Sequence, residues 1–136
     1  MTDLRVGEAQ RAYQEGRLAD SEKAFAMLAG GEGPQRADGL HGLGLIKLRQ
    51  GDLEGASGCF RAALVIQAEH VESWRQLGEL ALQQGDRANA VAHLARVLSL
   101  EPRDTDARQR LTEVLAREPG DVAEVIQLRK LPGETA

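Results

Sequence analysis

Few residues in this chain are equipped for chemistry, and they are scattered. The candidates are His41, His70 and His93, the lone Cys59, and some acidic pairs. A metal site needs ligands at a spacing that a helix or turn brings together, such as His-x-x-x-His or Cys-x-x-Cys. Neither occurs, and the histidines lie far apart in sequence. Cys59 would need a histidine alongside and a lowered pKa to attack a substrate; beside Phe60 it reads as a small packing residue. The glycines of Gly39-Leu40-His41-Gly42-Leu43-Gly44 imitate a phosphate loop. Such loops open a helix, so that free N–H groups face the phosphate, whereas these glycines fall inside a helical pattern whose N–H groups are engaged. Glu22 with Lys23, and Glu101 with Asp104, have no partner group for acid–base work and read as exposed charge. The expectation is no enzyme, no metal and no cofactor.

The elements that carry these residues are far better defined. Leu40, Leu43, Gly44, Gly51, Asp52, Ala56, Phe60 and Leu64 are answered 34 residues on by Trp74, Leu77, Gly78, Gly85, Asp86, Ala90, Leu94 and Leu98. A constant offset over a whole period marks stacked structural copies. Within a copy, Trp74, Leu77, Gly78 and Ala81 share one face of a helix, and Ala90, Leu94, Val97 and Leu98 share the face of a second. Gln84-Gly85-Asp86 and Gln50-Gly51-Asp52 supply the turns, with Gly at the helix end and Asp placed to cap the next helix. Gly44 and Gly78 fall mid-helix at a cost of about 1 kcal/mol each against Ala, which close helix–helix approach would offset. Each copy is therefore an antiparallel helix pair.

With Trp74, Leu77-Gly78, Gly85, Ala90, Leu94 and Pro102 in one copy, and Leu40, Leu43-Gly44, Gly51, Ala56, Phe60 and Ala63 in the other, the chain resembles the tetratricopeptide repeat (TPR) family. Ala68 stands where that family usually has Pro. Ala9, Gly16, Ser21, Phe25 and Leu28 keep register in a looser first copy, and Leu111 and Leu115 begin a degenerate last one. The resemblance implies an all-α, right-handed α-solenoid of stacked antiparallel helix pairs, a single domain over 1–136. Its repeats would span about 2–36, 37–70 and 71–104, with a degenerate capping pair at 105–131 and a tail at 132–136. Val122, Val125 and Ile126 would face inward on the capping pair's second helix. That pair is either a solubilising cap or the stub of an array continuing into more protein.

Composition narrows the function. A net charge of −4 and 3% aromatic residues argue against a nucleic-acid surface. No apolar run approaches the roughly 18 residues that would span a bilayer. The first residues lack a basic start followed by an apolar stretch, and the single cysteine fits a reducing compartment, so the expected address is cytoplasmic.

In the family the first helix of each pair lines a concave groove that takes a peptide or helix of a partner protein. Carried over by register, the resemblance places Val6, Gln10 and Tyr13 in that groove from the first copy. The second contributes His41, Gly42, Leu45 and Arg49, the third Arg75, Gln76, Glu79 and Leu82, and the last Gln109 and Glu113. Leu45, Leu48 and Leu82 are apolar at slots the internal packing does not require, as interaction surfaces often are. Gly42 either clears space for a partner side chain or serves packing alone. Tyr13 is either an anchor or, with a one-residue slip, a core residue. Arg75 and His41 are expected to lend cationic character suited to a carboxylate. The slots that resemble the chaperone-tail clamps of the family hold Val6, Gln10, Gly42, Glu72 and Gln76, not the clamps' Lys, Asn, Asn, Lys and Arg, which argues against that activity. The leading expectation is an adaptor or scaffold. The alternatives are a small chaperone for a secreted or assembling client, and a self-assembling or regulatory domain of a larger protein. The glycines at 42, 44, 55, 58 and 78 lower helix propensity, and the first two copies are expected to be the looser end, tightening on ligand binding.

Overall fold

The computed structural model describes residues 3–117, with side chains from Arg5 onward. Seven helices follow one another, and no strand occurs among the described residues. They are α1 (Asp3–Gln14), α2 (Leu18–Ala29), α3 (Gln35–Arg49), α4 (Leu53–Ile66), α5 (Val71–Gln83), α6 (Arg87–Leu100) and α7 (Thr105–Ala116). The fold is an all-α helical repeat. The second helix expected beyond Pro119-Gly120-Asp121 lies outside the described residues.

Local chemistry sets the boundaries. Gly16, Gly51 and Gly85 take φ of 80°, 79° and 70° at the turns after α1, α3 and α5, a left-handed conformation that glycine reaches without a Cβ clash. Three aspartates then cap the following helices: Asp52 accepts from Gly55 N at 2.8 Å, Asp86 from Asn89 N at 3.2 Å and Asp104 from Ala107 N at 3.0 Å. Each satisfies a backbone donor that the first turn leaves over. The first copy has Arg17 at this place and no side-chain cap; Arg17 instead pairs with Glu15 at 2.7 Å and Asp20 at 3.1 Å.

The chain divides into two compact units, Met1–Ser73 and Trp74–Ala136. In the first, α3 packs against α1, α2 and α4. Ala9, Phe25, Leu28 and Ile46 form its core, with Val6, Tyr13, Ala24 and Leu43 against them, and Ala56, Phe60 and Ala63 are fully buried. Such close packing needs α3 stripped of side chains. A methyl group on Gly39 would lie 2.4 Å from the Ala29 backbone nitrogen, on Gly42 2.2 Å from the Phe25 ring, and on Gly44 2.5 Å from the Phe60 ring. The low helix propensity of this stretch is thus matched by ring packing, and of the glycines inside α4, Gly58 has nothing within 4 Å of the same position. Ser21, buried on α2, satisfies its hydroxyl by donating to the Ala9 carbonyl at 3.1 Å.

In the second unit Leu77, Leu80 and Ala81 of α5, Ala90, Leu94, Val97 and Leu98 of α6, and Ala107, Leu111, Val114 and Leu115 of α7 are buried. The expected stripes close the core except at Trp74, which is half-buried, and Leu80 joins the α5 stripe unexpected. Gly78 is less crowded than Gly44, its added methyl lying 3.3 Å from a Leu94 methyl group.

Candidate functional site

In the first unit, α1 and α3 present Gln10, Tyr13, His41, Leu45 and Arg49. Gln10 is exposed and Leu45 half-buried. Tyr13 packs its ring against the core cluster and lies under the Arg49 guanidinium, 4.2 Å from the ring centroid. Of the two alternatives for Tyr13 the structure shows the core contact, and its ring also carries Arg49. Arg49 is exposed and has no carboxylate partner among the described residues.

His41 departs from the sequence expectation. Its ring sits 5.4 Å from that of Phe60 and 5.3 Å from that of His70, and its Nε2 is buried without a hydrogen-bond partner. Burial pushes its pKa down to about 4, His70 adds to the effect, and Asp38 partly opposes it. A neutral imidazole brings no positive charge to a partner carboxylate. Of the two alternatives for Gly42 the packing one holds: the space above it is filled by Phe25.

Two histidines that sequence spacing kept apart are brought together, and one of them anchors a chain of polar groups. His70 Nε2 lies 2.9 Å from Asp38 Oδ1, and His70 Nδ1 lies 2.8 Å from Ser73 Oγ. His70 thus bridges Asp38 and Ser73, its two ring nitrogens sharing the donor and acceptor roles according to the tautomer. Serine, histidine and carboxylate in this order match a nucleophilic triad, but Ser73 is 0% exposed. A nucleophile must reach substrate, so the chain of bonds ties the start of α5 to α3. The His70/Ser73 spacing at a helix start was a readable sign; the Asp38 partner, 32 residues away, was not.

In the second unit Arg75 and Arg110 are committed to carboxylates, while Arg96 lies 5.9 Å from the Trp74 ring centroid. Arg75 donates from Nε to Asp104 at 3.0 Å, closes a second bond to the same carboxylate at 2.6 Å, and also pairs with Glu101. Glu101 and Asp104, expected as plain exposed charge, therefore hold Arg75. Burial tends to raise the Asp104 carboxyl, but the Ala107 N–H and the Arg75 guanidinium together outweigh it and hold it below its ordinary value. Glu79 pairs with Arg110 at 2.6 Å, and Gln109 donates to Glu113 at 3.1 Å. Leu82 lines a shallow cavity of about 160 Å³ with Ala81, Ala90, Val114 and Arg117.

Cys59 is half-buried, and burial raises its thiol pKa, the opposite of an activated nucleophile. No group of three or more His, Cys, Asp or Glu able to hold a metal occurs among the described residues, and none of their helices is long and apolar enough to cross a membrane.

Helix pairs at a fixed repeat, capped by aspartate and joined by left-handed glycines, define the class as a helical-repeat protein. The tetratricopeptide repeat family matches residues 6–69 and again 41–105, and the chain belongs to that family. A 74-residue stretch is 32% identical to the Protein CTR9 homolog of Arabidopsis thaliana, covering 54% of this chain and 7% of that protein, so the chain spans a small fraction of its relative. Among solved structures, the type III secretion translocator chaperone SycD of Yersinia enterocolitica shares the fold. Its TM-score is 0.66 at 22% identity, over 95% of this chain and 85% of that one. Repeats of this family point to protein–protein interaction.

Proposed function

We propose that the chain is an adaptor or scaffold that binds a peptide or helix of a partner protein on the first helices of its pairs. In the first unit that face is on α1 and α3; α5 and α7 carry the corresponding face of the second unit, taken by itself. The observation that carries this reading is that Leu45, Leu48 and Leu82 of these helices stay only half-buried after the cores are closed by other residues. Apolar surface of this kind is worth about 25 cal/mol per Å² once a partner covers it. The second helices expose large apolar residues too, Met27 at 66% and Val65 at 85%, and these supply the control.

The test is affinity capture from the source lysate with the wild-type chain, Leu45→Glu and Val65→Glu, each confirmed helical by circular dichroism. A folded protein retained by the wild type and Val65→Glu but lost by Leu45→Glu supports the reading. Loss with Val65→Glu alone moves the site to the second helices. Retention of unfolded clients only would place the chain among client chaperones, and a mass that grows with concentration would make it a self-assembling module.

A further inference from the structure

The cations differ in what they can still bind, and exposed Arg96 of α6, 5.9 Å from the Trp74 ring centroid, is a looser second-unit counterpart of Arg49. Arg75 is held by Asp104 and Glu101, Arg110 by Glu79 and Asp106, and Arg17 by Glu15 and Asp20. Lys47 stands 3.9 Å from Asp52. His41 is neutral and closed in by rings. Arg49 is exposed, without a carboxylate among the described residues, and yet held in place, its guanidinium 4.2 Å above the Tyr13 ring. Tyr13 is in turn fixed against Ala9, Phe25, Leu28 and Ile46.

A guanidinium stacked on a ring keeps its edge, and hence its N–H donors, directed outward in the plane. A carboxylate accepts two such donors at once. Because the stack already restrains the long arginine side chain, less rotamer freedom is lost on binding than for a freely solvated arginine. The nearest acidic groups of the same helices are not competitors: Asp38 accepts from His70 at 2.9 Å near the other end of α3, and Glu8 of α1 lines a cleft with Arg17 and Asp20.

We propose that Arg49, seated on Tyr13, reads an acidic side chain of the bound peptide, two residues from an apolar side chain that covers Leu45. Leu45 precedes Arg49 by one helical turn, and residues so spaced have Cβ atoms about 6 Å apart. In an extended peptide, residues two apart on one side are about 6.6 Å apart, so one strand of peptide can meet both. The occupant is thus an acidic peptide segment with an aspartate or glutamate at that spacing. This rests on the peptide-binding reading above.

The test uses a phage library of random dodecapeptides, displayed with free N-termini and blocked C-termini, selected on the full chain. Selected peptides should carry an acidic residue two places from an apolar one. A synthetic representative should bind about tenfold more weakly when its acidic residue is changed to the amide. Against Arg49→Gln that change should make no difference, while Arg49→Lys should keep part of the preference. An equal penalty on the wild type and Arg49→Gln would place the carboxylate elsewhere and overturn the inference alone. Undiminished binding of the same peptide to Leu45→Glu would overturn the peptide-binding reading as well. A library that yields no binder overturns both.

Discussion

The two units of this chain are written in the same repeat, yet Arg49 of the first and Arg75 of the second, both on first helices, are used in opposite ways. In the second, Arg75 is clamped by the aspartate that caps α7, and Arg110 by Glu79. Charge there is consumed in joining helices. In the first unit the helices approach closely, with Gly39, Gly42 and Gly44 meeting backbone and rings, and Arg49 rests on the Tyr13 ring with no carboxylate among the described residues. An arginine locked in a network contributes to the fold; one resting on an aromatic ring has capacity for a partner. Identical family register therefore does not mean identical availability, and the groove positions of a repeat protein have to be weighed one at a time.

The comparison breaks most sharply at the glycines. Gly42→Ala should cost about 2–4 kcal/mol, because the buried Phe25 ring has no room to yield. Gly78→Ala, whose new methyl would meet the Leu94 side chain at 3.3 Å and the His93 Cβ at 3.7 Å, should lie within about 1 kcal/mol of wild type, since gained helix propensity offsets the crowding. Urea denaturation of the two variants measures the difference. Comparable losses would mean that the second unit is packed as tightly as the first.

A second contrast lies in pH. Burial sets the pKa of His41 at about 4 in the folded chain, below the ordinary value near 6.5. The neutral form is therefore the one the fold accepts. Its stabilisation is complete above about pH 6.5 and is lost as pH falls toward 4, a span equivalent to about 3 kcal/mol. Replacing His41 by Leu removes the buried unpartnered Nε2 and should flatten the urea midpoint between pH 6.5 and 4.5 relative to wild type. Equal slopes for the two proteins would show that His41 does not titrate as its surroundings require.

The arginines should separate more modestly. Arg75→Ala strips two bonds from a largely buried carboxylate and should cost about 2 kcal/mol, while Arg49→Ala should cost no more than about 1 kcal/mol, the worth of an exposed cation–π contact. Thermal melts of the two variants give the ranking, and a larger loss at Arg49 would make it a structural residue. The smallest effect is a gain: Gly58 faces open space inside α4, and Gly58→Ala should stabilise by about 0.5–1 kcal/mol. That gain would mark it as the glycine of the middle copy that packing does not account for.

Much of the fold was legible before any coordinates. The offset that pairs Gly51-Asp52 with Gly85-Asp86 reappears as two left-handed turns and two aspartate caps. The stripes through Phe60 and Leu94 are the buried faces. Both follow from local rules, a helical period and a backbone conformation, which a sequence expresses within a few residues. The candidate face was legible only as a set of positions. His41 and Arg75 looked like available cations, and Gly42 could be read as a vacancy or as packing, because register says which way a residue points and nothing of what meets it there.

The sequence by itself determined the helix pairs, their turns and caps, and the absence of metal-binding spacings, since these depend on neighbours close along the chain. Tertiary structure alone decided which polar groups were taken. The partner of His70 lies 32 residues away, that of Arg75 29 residues away, and the ring beneath Arg49 is on another helix. Burial and charge pairing act through space, so the state of His41 and the freedom of Arg49 became visible only once the helices were packed.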